Sequence, residues 1–126
     1  MVANNVNQHY SYMEVKMVKK MIKVIIDRRK WYRGDYGSAL LVVPGNKMCC
    51  IGFLALKLGC TRSNIESVNI LSEVPVSKAL DFASKYKTSL KKAYNINDNT
   101  KIEDDIREKR LIVVGKRMGV DFIFKY

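Results

Sequence analysis

Three cysteines, Cys49, Cys50 and Cys60, and a single histidine, His9, are the side chains best suited to nucleophilic or metal chemistry. Cys49 and Cys50 open an apolar run, Ile51-Gly52-Phe53-Leu54, that reads as a helix. Thiols there sit at a helix N-terminus, where the dipole and free amides favour the thiolate that cysteine enzymes use. Enzymes of the papain type then take a base, usually histidine, from later in the chain. No histidine follows these cysteines. Cys49 and Cys50 are therefore weak catalytic candidates, and the plainer role is small apolar filling, with Gly52 admitting a close backbone neighbour. The same four residues are numerous enough to hold zinc, but their spacing matches no paired-cysteine knuckle. No metal site and no cofactor are expected.

A second constellation is cationic. Lys16, Lys19, Lys20, Lys23, Arg28, Arg29, Lys30 and Arg33 are opposed between positions 16 and 33 by Asp27 alone. Trp31, Tyr32 and Tyr36 are interleaved with them. Arginine with aromatic rings can grip phosphate and stack on bases. Arg28, Arg29, Lys30, Trp31, Tyr32, Arg33 and Tyr36 are accordingly the expected ligand-binding residues; the competing reading is a solvated surface with Trp31 tucked into the core. Lys78, Lys85, Lys87, Lys91 and Lys92 fall on the outer face of a helix, where simple solvation is the readier explanation. The carboxylates Glu103, Asp104, Asp105 and Glu108 cluster where a helix dipole accounts for them. Phosphate-cradling glycine loops, a Ser-His-Asp set, zinc-finger spacing and a dinucleotide fingerprint are all missing from the sequence.

Composition agrees with a binding protein. The 126 residues carry 23 Lys and Arg against 12 Asp and Glu, a formal charge of +11. Such an excess attracts DNA, RNA, nucleotides, anionic lipid or an acidic protein. At 48% hydrophobic and 28% charged the chain has the make-up of one folded domain rather than a disordered one. Free thiols, a polar start without a secretory pattern, and a longest apolar run, Met48 to Leu56, too short for a bilayer imply a cytoplasmic protein without membrane attachment.

The elements that must position these residues follow from pattern. Residues 1–12 read as a flexible arm and 13–126 as a single α+β domain. Ile22 to Ile26 is β-branched and strand-like, with Asp27 capping a brief turn through Trp31. Ala39 to Val43 reads as a buried strand closed by a turn at Pro44-Gly45. Cys50 to Leu58 is an all-round apolar helix ending at Gly59, and Thr61 or Ser63 can cap a short turn. Ser77 to Tyr94 is amphipathic at helical spacing, and Asn97-Asp98-Asn99 is a loop. Thr100 and Glu103 have capping-box spacing, Lys116 and Arg117 fill a last turn, and Gly119 ends that helix. Val120 to Lys125 alternates as a strand. About three strands with three to four helices, packed mainly on one face, are expected.

The strings Trp31-Tyr32-Arg33-Gly34, Ala39-Leu40-Leu41 and Lys47-Met48-Cys49-Cys50-Ile51-Gly52-Phe53 resemble a group of small uncharacterised phage and prophage proteins. That group has a Trp-x-Arg-Gly turn before a Met-Cys-Cys-Leu-Gly-Phe helix; Ile51 stands here where leucine is commoner. Ile96-Asn97-Asp98, Arg107-Glu108-Lys109 and Gly119-Val120 resemble its C-terminal half. The resemblance spans about residues 22–126 and carries no functional residues with it. It implies an accessory factor in a host cytosol. The resulting expectation is a non-enzymatic basic protein engaging nucleic acid, a nucleotide signal or a nucleic-acid-containing host complex. The alternatives are an inhibitor of a host defence protein acting by protein docking and, behind both, a cysteine-dependent enzyme.

Overall fold

The computed structural model describes residues 21–34, 39–42, 45–66 and 68–126. The expected arm with His9, the lysines at 16, 19 and 20, Tyr36 and Pro44 lie outside the described residues.

Alternation in the two β-branched or aromatic segments sets one face inward. Strand β1, Ile22–Asp27, buries Val24 and Ile26 and exposes Lys23 and Ile25. Strand β2, Val120–Lys125, buries Val120 and Phe122. The two pair in parallel, Ile22 opposite Val120 and Asp27 opposite Lys125. A parallel pair requires a crossover, and the helical part of the chain supplies it. The helices among the described residues are α1 (Cys50–Lys57), α2 (Arg62–Ile65), α3 (Ser77–Lys85), α4 (Lys87–Asn97) and α5 (Asp104–Arg117), with a 3₁₀ turn at Leu71–Glu73. The fold is α+β.

Three expectations are corrected. The segment at 39–43 adds no third strand among the described residues: Leu41 and Val42 form only isolated bridges, to Glu66 and Lys47. Its backbone is drawn elsewhere, Leu40 N donating to Val68 O at 3.0 Å. The long amphipathic helix breaks at Tyr86, whose φ of −116° and ψ of 33° end α3 and start α4. Helix α4 then runs on to Asn97, past the expected end, burying Leu90, Ala93 and Asn97. Finally, α5 starts at Asp104 with Glu103 as its cap residue and no side-chain cap, so the Thr100 capping box does not form. The loop before it is held from within the helix instead, by Arg107.

Other signals hold. Thr61 caps α2 through a reciprocal box with Asn64. Gly119 adopts φ +69° after α5, the left-handed conformation that suits glycine. The core gathers Ile26, Trp31, Leu40, Ile51, Leu54, Leu71, Leu111 and Phe122 into one cluster. Gly52 is what lets α1 approach its neighbour, since a β-carbon there would lie 2.1 Å from Leu40 O. No helix among the described residues is long and apolar enough to cross a membrane.

Candidate functional site

The cationic segment follows directly from the end of β1. The Asp27 carboxylate accepts from Arg29 N at 3.0 Å and from its guanidinium at 3.0 and 2.9 Å, closing the turn. The guanidinium hydrogen bond holds the Asp27 carboxyl below its ordinary pKa. Arg28 reaches Glu108 of α5 with two parallel bonds of 2.9 and 2.8 Å. Met48 N donates to Lys30 O at 2.9 Å, and Tyr32 N to Met48 O at 2.7 Å. This pairing turns Trp31 inward, to 1% exposure, against the Phe124 ring at 4.8 Å. Arg33 lies over the Trp31 ring at 4.3 Å, with Nε 3.1 Å from the Asp104 carboxylate.

Base stacking by Trp31 and Tyr32 is thereby corrected: both are buried, Trp31 within the core cluster and Tyr32 at 4% exposure. Arg28, Arg29 and Arg33 each already face a carboxylate. Of the expected binding residues, Arg29 and Lys30 are exposed.

Asn97, expected in a loop, is the residue that joins this segment to the cysteines. It is fully buried at the end of α4. Its Oδ1 accepts from Trp31 Nε1 at 2.8 Å and from Cys50 N at 3.0 Å. Its Nδ2 donates to Tyr32 O and to Asp98 Oδ1, both at 2.9 Å. Arg107 is the other buried polar residue among the described residues, 3% exposed, donating to Asp104, to Asn99 O and, at 3.2 Å, to Ile102 O. A cleft of about 390 Å³ beside it is lined by Arg33, Arg107, Glu103 and Asp104. Two guanidiniums facing two carboxylates leave it no net charge for an anion.

Burial decides the thiol chemistry. Cys49 and Cys50 are 2% and 0% exposed. Desolvation pushes the Cys49 thiol up to about 12, outweighing the lowering by the Gly52 and Ile51 amides. Cys50 is raised well above its ordinary value by the same cause, and Cys60 is raised too. The helix N-terminus is present but loses to desolvation, so these thiols stay protonated at neutral pH. Among the described residues no three His, Cys, Asp or Glu side chains gather as metal ligands.

Besides Lys23 and Lys30, further cations outside the ion pairs lie on the helices. At 3.6 residues per turn, Lys109, Arg110, Lys116 and Arg117 share one stripe of α5 with the exposed Ile106 and Val113. All four are exposed, and the ion pairs among the described residues involve none of them. Lys78, Lys85, Lys87, Lys91 and Lys92 on α3 and α4 are likewise exposed and outside those pairs.

No protein-family model matches this chain, and neither does any curated protein or solved structure.

Proposed function

We propose that this chain is a non-enzymatic binding protein for polyanions, nucleic acid foremost, holding phosphates along the outward stripe of α5. The observation that carries this reading is the stripe itself: Lys109, Arg110, Lys116 and Arg117, exposed and without ion pairs among the described residues. Lys109 and Lys116 are seven residues apart on the helix, about 10 Å along its axis, a span over which both reach one nucleic-acid backbone. Arg29 and Lys30 lie on the turn that the Arg28–Glu108 pair ties to the same helix. The resemblance to small phage proteins fits an accessory factor of this kind.

The test is fluorescence polarisation with short single- and double-stranded DNA and RNA across a salt series. Four phosphate contacts on duplex DNA give a log–log salt slope of about −3.6, and Lys109→Ala with Arg110→Ala reduces its magnitude by about 2. An unchanged slope in that variant, or no binding at low salt, refutes the assignment.

A further inference from the structure

Helices α3 and α4, broken apart at Tyr86, leave a groove between them that the 3₁₀ turn closes at one end. Its open volume is about 510 Å³, inside the ~300–1,000 Å³ range of ligand pockets. Leu90 and Ala83 make a buried floor. Ile70 and Leu80 form the walls and are exposed, at 36% and 41%. The groove is preformed, because Leu71 N donates to Tyr94 Oη at 2.8 Å and so ties the turn to α4.

Lys87 and Lys91, one turn apart on α4, line the margin, and no carboxylate lines the groove. Asp81 belongs to a separate hollow with Lys78 and Lys85. Neither Lys87 nor Lys91 is ion-paired among the described residues. An apolar trough beside an unopposed pair of ammonium groups selects its occupant by charge as well as shape.

We infer that this groove docks an acidic amphipathic segment of a partner protein. Apolar side chains three or four residues apart on that segment seat over Leu90 between Ile70 and Leu80, and its carboxylates meet Lys87 and Lys91. The chain's own first twenty residues are a poor occupant, since they carry Lys16, Lys19 and Lys20 against Glu14 alone. A second copy brings another +11 to the contact. Nucleic acid fits the aliphatic walls badly, and the Tyr94 hydroxyl is already engaged by Leu71.

The experiment selects a displayed library of 16-residue peptides against the full-length protein, with counter-selection against Leu80→Ser. Selected peptides are expected to be net acidic, with apolar residues at i and i+3 or i+4. As synthetic peptides they should bind at least tenfold more weakly to Leu80→Ser and to the Lys87→Glu, Lys91→Glu double variant. Circular dichroism checks that these surface variants remain folded, and Ala83→Asp, which blocks the floor, provides an independent variant. No enrichment, basic peptides, or affinities unmoved by all these variants overturns the inference. So does displacement of a bound peptide by single-stranded oligonucleotide at matched ionic strength. The α5 variants leave peptide affinity unchanged and the groove variants leave the oligonucleotide salt slope unchanged, so either reading can fail alone.

Discussion

Replacing Asn97 by alanine removes the one side chain that bonds the Trp31 segment, the Cys50 amide and the end of α4 together. Two buried donors, Trp31 Nε1 and Cys50 N, lose their acceptor, and Tyr32 O loses a donor. A buried donor left without a partner costs about 1–3 kcal/mol, so the two together amount to about 2–6 kcal/mol. We expect Asn97→Ala to lose about 4 kcal/mol, a large share of the ~5–15 kcal/mol available to a domain. Urea unfolding followed by the fluorescence of Trp31, the single tryptophan, reads this as a midpoint lowered by about 2 M at ~2 kcal/mol per M. Asn97→Asp keeps the Oδ1 acceptor but turns a second oxygen toward Tyr32 O and Asp98. Its charged form is fully buried and faces the Asp98 oxygen where Nδ2 donated, so its folded pKa rises; stability is then greater near pH 5 than at pH 8. Trp31→Phe, followed by circular dichroism, should cost about 1–2 kcal/mol less in the Asn97→Ala background than alone. A loss below about 1 kcal/mol for Asn97→Ala, with no coupling to Trp31, would refute the idea that these bonds organise the segment.

The remaining predictions concern close packing and the thiols. Gly52→Ala drives a β-carbon to 2.1 Å from Leu40 O, and should cost about 3 kcal/mol or prevent folding; Gly59→Ala, strained at φ +92° but meeting nothing, should cost about 1–2 kcal/mol. Equal losses in urea titrations would mean that α1 does not depend on that contact. Iodoacetamide at pH 8 should leave Cys49 and Cys50 unmodified in the native protein and alkylate both in urea, as mass spectrometry reports. Above pH 9 the unfolded Cys49 thiol ionises while the folded one waits until about 12. Stability present below pH 9 is therefore lost across that window at about 1.4 kcal/mol per pH unit. Cys49→Ala should make that decline shallower by the Cys49 share, with buried Cys50 still contributing its own, and a decline identical in the two proteins counts against the burial argument.

Much of the fold is legible in local pattern because local physics makes it. The alternation of Val120, Phe122 and Phe124, the apolar run after Cys50 and the glycine after Met118 each specify an element without reference to distant residues. The Tyr86 break is different. Helical periodicity runs through it unbroken, and the backbone of Tyr86, at φ −116° and ψ 33°, separates α3 from α4 without any local mark in the sequence. The Thr100 box is absent because the helix begins one turn later, at Asp104, and Arg107, seven residues after Thr100, donates to the loop carbonyls of Asn99 and Ile102. Asn97 offered only one cue, an amide side chain following Ile96 at the end of an amphipathic stretch, and the same cue marks any exposed turn.

Charge counting along the chain misses the partners that the fold supplies. Arg28 to Arg33 contains no carboxylate and is flanked in sequence by Asp27 and Asp35, yet it is Glu108, eighty positions away, that engages Arg28. Asp104 serves both Arg33 and Arg107. Both carboxylates belong to the first half of α5, where the dipole also welcomes negative charge. With these carboxylates engaged by arginines, the rest of the helix, Lys109 to Arg117, has cations in no ion pair among the described residues. Among the described residues, cations outside any ion pair include Lys23 and Lys30 as well as those of α5 and the lysines of α3 and α4. A polyanion meeting this surface encounters cations that need not give up a carboxylate to bind it, whereas at Arg28 it would first have to break a bidentate pair. That difference is why the proposed phosphate contacts lie on α5.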